Sequence, residues 1–248
     1  MQLIDSHCHL DSFKNYDDVI SRALKAGVRA MITSGCSGKN NETTLEIAQK
    51  HAGCVFPVIG VAPQEAMDME NFDSQLSFIK ENRSKIIGVG EVGLDFHWAN
   101  TPEQKARQQE CFERFLEYAV SEKLPIVVHS RDAEKEVLDA VMKKGVERVL
   151  LHCFSGQLSI AESAAEHGFL ISVPPVPSRT REKIIKYIPL ENLLLETDAP
   201  YLGGEPADIK SSAELVASIK GAELGEVCSV TTTSCIRLFG LEGLHGSD

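Results

Sequence analysis

The chain has 248 residues, 43% hydrophobic and 25% charged, the balance of a globular protein long enough for one large domain. A formal net charge of -11 speaks against a broad basic surface for gripping nucleic acid, and no apolar run approaches the roughly 18 residues of a membrane span. The seven cysteines, an odd number with no CxxC pair, read as thiols of a reducing cytoplasm, and the polar, histidine-bearing N-terminus does not read as a signal peptide.

The first strand-like run, QLIDSH, leads through LIDSHCHLD. Alternate residues of a strand share a face, so Asp5, His7 and His9 crowd one side while Cys8 turns away. Such a face suits a metal ion. A helical run at 16–26 follows, then VRAMITS and a helix at 41–51, then CVFPVIGV and a helix at 72–82. IIGVGEVGL carries Glu91 and precedes a helix at 102–122; PIVVHS carries His129 and precedes one at 133–144. RVLLHC holds His152 before a helix at 158–167, and FLISV runs into the proline-rich SVPPVPSRTRE and a helix at 180–187. NLLLETD brings Asp198, after which 209–239 is helical with a break near 221–225, and a short polar tail starts at about 242.

Eight strand-like runs, each followed by a helix, are the count of a (β/α)8 TIM barrel in the α/β class, read here as one domain over 1–248. A doubly wound open sheet is the structural rival. In a barrel the C-terminal strand ends meet at one face, so His7, His9, Glu91, His129, His152 and Asp198 would converge there. Four imidazoles and two carboxylates suffice for two divalent metal ions that share a carboxylate and keep open positions for substrate.

Other candidates carry two readings each. Asp5 and Asp95 orient imidazoles from behind, or serve turns and helix caps. His97 either supports the site or stands in a solvent-facing loop, His51 and His167 fit helix ends near glycines, and His245 falls in the tail. Arg131 is placed to grip a phosphate or to pair with a nearby acid. Ser155 and Gly156 offer backbone N–H groups to an anion, or a plain helix cap. Arg179 and Arg181 meet a nucleic-acid backbone or remain solvated, and Cys8 and Cys153, each beside a histidine, read as small core residues.

The stretches DSHCHLD, GEVGLDF, VVHSRDA, HCFSG, LLLETDAPYL and TTTSCIRLFGL, in that order, resemble the TatD family of metal-dependent hydrolases in the amidohydrolase superfamily. The resemblance implies a barrel with a binuclear site and hydrolysis of phosphodiester bonds, with DNA ends trimmed by a deoxyribonuclease. It implies that His7, His9 and Asp198 hold one metal, that Glu91 bridges, and that His129 and His152 hold the second. The chain departs from the pattern at GVAPQ, where Ala62 and Gln64 stand in place of the family's usual histidines. Gln64 still offers a hydrogen bond to substrate, but neither charge nor a proton.

On this reading Asp198 ligates a metal and takes a proton from water as general base, with Glu91 as the shared carboxylate. Arg131, Ser155 and Gln64 are the substrate-binding candidates. Zn, Mn, Ni, Co and Mg all fit such donors. Two rival functions remain. One keeps the metals and changes the bond, as in a D-aminoacyl-tRNA deacylase acting on aminoacyl-tRNA. The other is a non-catalytic binding protein that retains metal for stability.

Overall fold

A computed structural model describes residues 2–244, so His245 and the end of the polar tail lie outside the described residues. In chain order the elements are β1 (Leu3–Cys8), α1 (Tyr16–Lys25), β2 (Val28–Gly35), α2 (Gly38–Lys50), β3 (Val55–Ile59) and α3 (Pro63–Ala66). Next come α4 (Phe72–Glu81), β4 (Gly88–Asp95), α5 (Pro102–Glu122), β5 (Ile126–Arg131), α6 (Glu134–Lys144) and β6 (Val149–Leu151). The chain continues with α7 (Leu158–Glu166), β7 (Leu170–Val173), α8 (Arg179–Tyr187), β8 (Leu193–Leu195), α9 (Ile209–Lys220) and α10 (Leu224–Phe239).

The eight strands form one parallel sheet in the order β1 to β8, each hydrogen-bonded to its sequence neighbour. The gap between first and last is bridged just beyond β8. Asp198 N–H donates to the His7 carbonyl at 3.0 Å, and His9 N–H donates to the Ala199 carbonyl at 2.8 Å. The sheet is therefore a barrel, and the open-sheet rival is excluded.

Strand alternation sorts the core into two layers. Ile4, Ala30, Ile32, Val58, Val127, Leu150, Leu170 and Leu194 pack with one another and with Cys235, Ile236, Leu238 and Phe239 of α10. They fill the barrel, and α10 closes its lower end. Residues of the other parity, such as Val128, Leu151, Ile171 and Leu195, pack against the helices with Phe112, Phe115, Val137 and Ile184. Two residues beyond the inward apolar layer, the same faces carry Ser34, His129, His152, Ser172 and Glu196. One periodicity thus builds the core below and the polar site above.

Local chemistry sets the helix ends. Thr101 accepts from Gln104 N–H at 3.2 Å while the Gln104 side chain reaches back to Thr101 N–H, a capping box that starts α5 at Pro102. Gly145 (φ 72°) and Gly221 (φ 64°) end α6 and α9 in the left-handed conformation. The sequence-based helix bounds agree within a few residues, but the short α3, which begins at Pro63 in GVAPQ, is not legible as a helical period. No helix among the described residues is long and apolar enough to cross a membrane.

Candidate metal centre

β1 delivers His7, β4 Glu91 and β5 His129, and the residues just past β1, β6 and β8 supply His9, His152 and Asp198. All six meet at the C-terminal mouth of the barrel. Glu91 stands inside β4 rather than at its end, because that strand runs on to Asp95. Glycines make room for it. A Cβ at Gly60 would meet the Glu91 carbonyl at 2.6 Å, and one at Gly93 would run into the His129 carbonyl.

The two carboxylate oxygens of Glu91 face different partners. Oε2 lies 3.4 Å from His7 Nε2 and 3.4 Å from His9 Nε2. Oε1 lies 3.0 Å from His129 Nδ1 and 3.3 Å from His152 Nε2. Asp198 Oδ1 joins the first set, 3.7 Å from His7 Nε2 and 3.4 Å from His9 Nε2. Within the sets the imidazole nitrogens approach each other at 3.1 Å (His7, His9) and 3.3 Å (His129, His152).

What lies behind each ring decides which nitrogen carries a proton. His9 Nδ1 faces the Ser34 carbonyl at 3.0 Å, so it donates and its Nε2 turns a lone pair to the site. His7 Nδ1 lies 3.3 Å from Ser34 Oγ. His129 Nε2 donates to Asp95 Oδ2 at 2.9 Å, leaving Nδ1 for the site. Gln64 Nε2 donates to the same Asp95 oxygen at 2.6 Å. Behind His152, Nδ1 finds no hydrogen-bond partner, and Glu196 Oε2 stands 3.8 Å away.

Lone pairs aimed at carboxylate oxygens repel unless a cation or proton intervenes. Ligand atoms 3.0 to 3.7 Å apart are also the spacing spanned by two bonds of about 2.0–2.2 Å to one ion. The donor set therefore fits divalent cations, one grouping being His7, His9 and Asp198 and another His7, Glu91 and His152. Without a cation, protons fill the role. Burial opposes charge on His129, but Asp95 and Glu91 raise it to about 9; His9 is likewise held well above its usual value against burial by Cys36, Asp198 and Glu91. Burial and the nearby charge of His152 push His7 down to about 4. Burial works against ionised Glu91 and Asp198, yet the surrounding imidazoles keep both carboxyls below the usual range. Metal binding would have to displace the imidazole protons.

The groups open into a cleft of about 610 Å³ that is also lined by Gln64, Arg131 and Ser155. All three substrate-binding candidates thus reach the same space, although the Gln64 amide N–H is already engaged by Asp95. Ser155 does not cap α7, whose cap residue is Gln157.

One open alternative is resolved, at Asp5, and one expectation is corrected, at Cys153. Asp5 orients no imidazole; its carboxylate accepts from Thr197 N–H at 3.0 Å and Thr197 Oγ1 at 2.5 Å, tying β1 to the segment after β8. Burial raises that carboxyl to about 8 despite these bonds. Cys153 is not a core residue turned from the site: at φ 47° it has left the strand, and it lines the cleft. Asp198, at φ 51°, shares that uncommon conformation. The alternatives for His97 resolve to a loop contact, Nδ1 lying 3.3 Å from Asp132. Cys8 is fully buried as expected, with Sγ toward the Ile32 carbonyl.

Besides Ser34, three residues were missed. Cys36 ends the β2 turn 3.6 Å from His9 Nδ1 and 3.9 Å from Glu91 Oε2; only its place after a strand hinted at this. Glu196 is fully buried, held by Ser172 at 2.6 Å; its parity with Asp198 in ETD was the available signal. Tyr201 stacks edge-on to His9, with ring centroids 4.6 Å apart, from the loop after β8.

Comparison with known proteins places these features in context. The family described as TatD related DNase matches residues 4–240. The chain is 35% identical to deoxyribonuclease TATDN3 of Homo sapiens over 96% of this chain and 94% of that one. It is 33% identical to the uncharacterized metal-dependent hydrolase YabD of Bacillus subtilis over 96% and 98% of the two chains. Among solved structures, the TatD homologue YjjV of Escherichia coli superposes with a TM-score of 0.87 at 25% identity, covering 96% of this chain and 98% of that one.

Proposed function

The chain belongs to the TatD family of metal-dependent hydrolases, and on that premise we propose that it is a deoxyribonuclease that trims DNA ends by phosphodiester hydrolysis. The observation that carries the reading is the division of Glu91. One oxygen faces His7 and His9, the other His129 and His152. A carboxylate so placed is suited to two divalent cations, with Asp198 completing the first set.

When bound, such cations polarise a phosphoryl oxygen and lower the pKa of water. The chain's own groups do the rest. Asp198, ionised and at the cleft wall, accepts the proton of the attacking water as general base. Gln64 and Asp95 hold His129 in the tautomer that presents Nδ1. Arg131 and Ser155, on the cleft wall, contact the substrate's phosphates. Seven unpaired cysteines accord with a cytoplasmic setting.

The test is a gel. Protein reloaded with Mg, Mn or Zn is incubated with end-labelled single- and double-stranded DNA, beside Glu91→Ala. Metal-dependent, stepwise shortening by the parent alone is expected. No shortening by a fully metallated parent would overturn DNA as substrate, and release of amino acid from D-aminoacyl-tRNA would then be measured.

A further inference from the structure

Arg181 holds a buried charge that makes no ion pair among the described residues. It sits in the first turn of α8, its N–H donating to the capping Ser178 Oγ at 3.1 Å. The residue is 7% exposed, yet it lines the cleft. Nη1 donates to the Val176 carbonyl, Nη2 lies 3.9 Å from Cys153 Sγ, and Nε has no partner. A carbonyl is neutral and a thiol sulfur is a weak acceptor. Among the described residues no carboxylate forms an ion pair with this guanidinium. Glu196 lies near enough to feel its charge; its Oε2 accepts from Ser172 and its Oε1 has no hydrogen-bond partner, but no carboxylate oxygen of it reaches ion-pair distance of the guanidinium.

Burying an unpaired guanidinium is costly, and a chain with 36 acidic residues against 25 basic ones has carboxylates to spare. The N-terminal end of α8 adds further positive potential at the same place. An anion that enters through the cleft would satisfy both. The planar guanidinium of a residue that lines the cleft matches a phosphate better than a point charge does.

We propose that Arg181 anchors a phosphate of the substrate other than the one being cleaved, in a subsite beside the metal centre. This rests on the phosphodiester reading above. It gives the cleft a means of selecting a polymer over an isolated diester, because only a polymer carries a second phosphate.

The experiment uses the metal-loaded parent, R181M and R181K. Melting temperature is measured with and without inorganic phosphate. KM is compared for an oligonucleotide and for bis(4-nitrophenyl) phosphate, which has no second phosphate. Inorganic phosphate is expected to raise the melting temperature of the parent more than that of R181M. The ratio of oligonucleotide KM to small-diester KM is expected to rise roughly 10- to 100-fold in R181M, the loss of one charge-assisted hydrogen-bonded contact. R181K should fall between, keeping charge but not the fork, and it decides the matter if R181M does not fold. Equal phosphate shifts and equal KM ratios across the three proteins would overturn the proposal. If the parent cleaves no DNA, the nuclease reading falls alone, and the phosphate shifts still decide the role of Arg181.

Discussion

On the β1 side of the centre, a single residue stands behind both imidazoles. The Ser34 carbonyl takes the His9 Nδ1 proton at 3.0 Å, and Ser34 Oγ lies 3.3 Å from His7 Nδ1. On the β5 and β6 side, carboxylates stand there instead: Asp95 behind His129 at 2.9 Å, and Glu196 near His152 at 3.8 Å. The first arrangement leans on a backbone carbonyl whose place is fixed by the barrel. The second leans on side chains that have their own partners, Gln64 and Ser172. One half is therefore set by the fold, and the other is open to tuning by substitution. The departure at Gln64 reaches the ligands through the second half.

The shared group should give the largest effect. Among the described residues, Glu91→Ala removes the only carboxylate that faces both halves, and it leaves four imidazoles crowded around the void. Turnover is expected to drop by roughly 10³-fold or more, and on the two-metal reading proposed above both ions are lost on elemental analysis. A variant that kept full metal content would show that Glu91 does not bridge. Asp198→Asn comes next. It touches only the His7 and His9 half, so turnover should fall by about 10²–10⁴-fold through loss of the base, while metal at the His129 half is retained. Equal loss of both metals would break the division into halves.

The sequence exposes the ligands of both halves more readily than the groups that stand behind them, for physical reasons. Strand alternation puts the histidines and Asp198 at strand ends, so convergence follows once the barrel is assumed. Alternation is silent where the backbone leaves the strand. Cys153 turns into the cleft at φ 47°, and β1 is irregular between Asp5 and Cys8, which frees the Asp5 carboxylate to reach Thr197. Glu196 was passed over because a buried acid beside an obvious ligand adds no pattern of its own. Arg181 lies in a helix whose charge pattern looks solvated, and only the packing of the proline loop against it shows that the side chain is buried. Gln64 reads as a lost histidine. Its hold on Asp95 depends on α3, a turn with no apolar period.

Substitutions behind His129 sharpen the comparison on a smaller scale. Asp95→Asn replaces an obligate acceptor with a group able to present N–H to the ring, and Gln64→Ala leaves Asp95 without its 2.6 Å donor. Metal affinity is expected to fall by roughly 10- to 100-fold, with Asp95→Asn at the upper end, and in only one phase of a two-phase calorimetric titration. Gln64→Glu, which sets a second negative charge against Asp95, should disturb the same phase. A uniform loss across both phases would mean that Asp95 and Gln64 support the barrel mouth as a whole.

The smallest expected effect is the most discriminating. Ser34→Ala removes the 3.3 Å contact to His7 Nδ1 but leaves the carbonyl that orients His9. One neutral hydrogen bond is at stake, about 0.5–1.5 kcal/mol, so affinity in the other calorimetric phase should fall only about 2- to 10-fold. Ser34 is fully buried, and alanine is smaller, so the change introduces no clash. If Ser34→Ala weakened metal binding more than Gln64→Ala does, the serine hydroxyl would outweigh the carbonyl. The first half would then be as dependent on a side chain as the second.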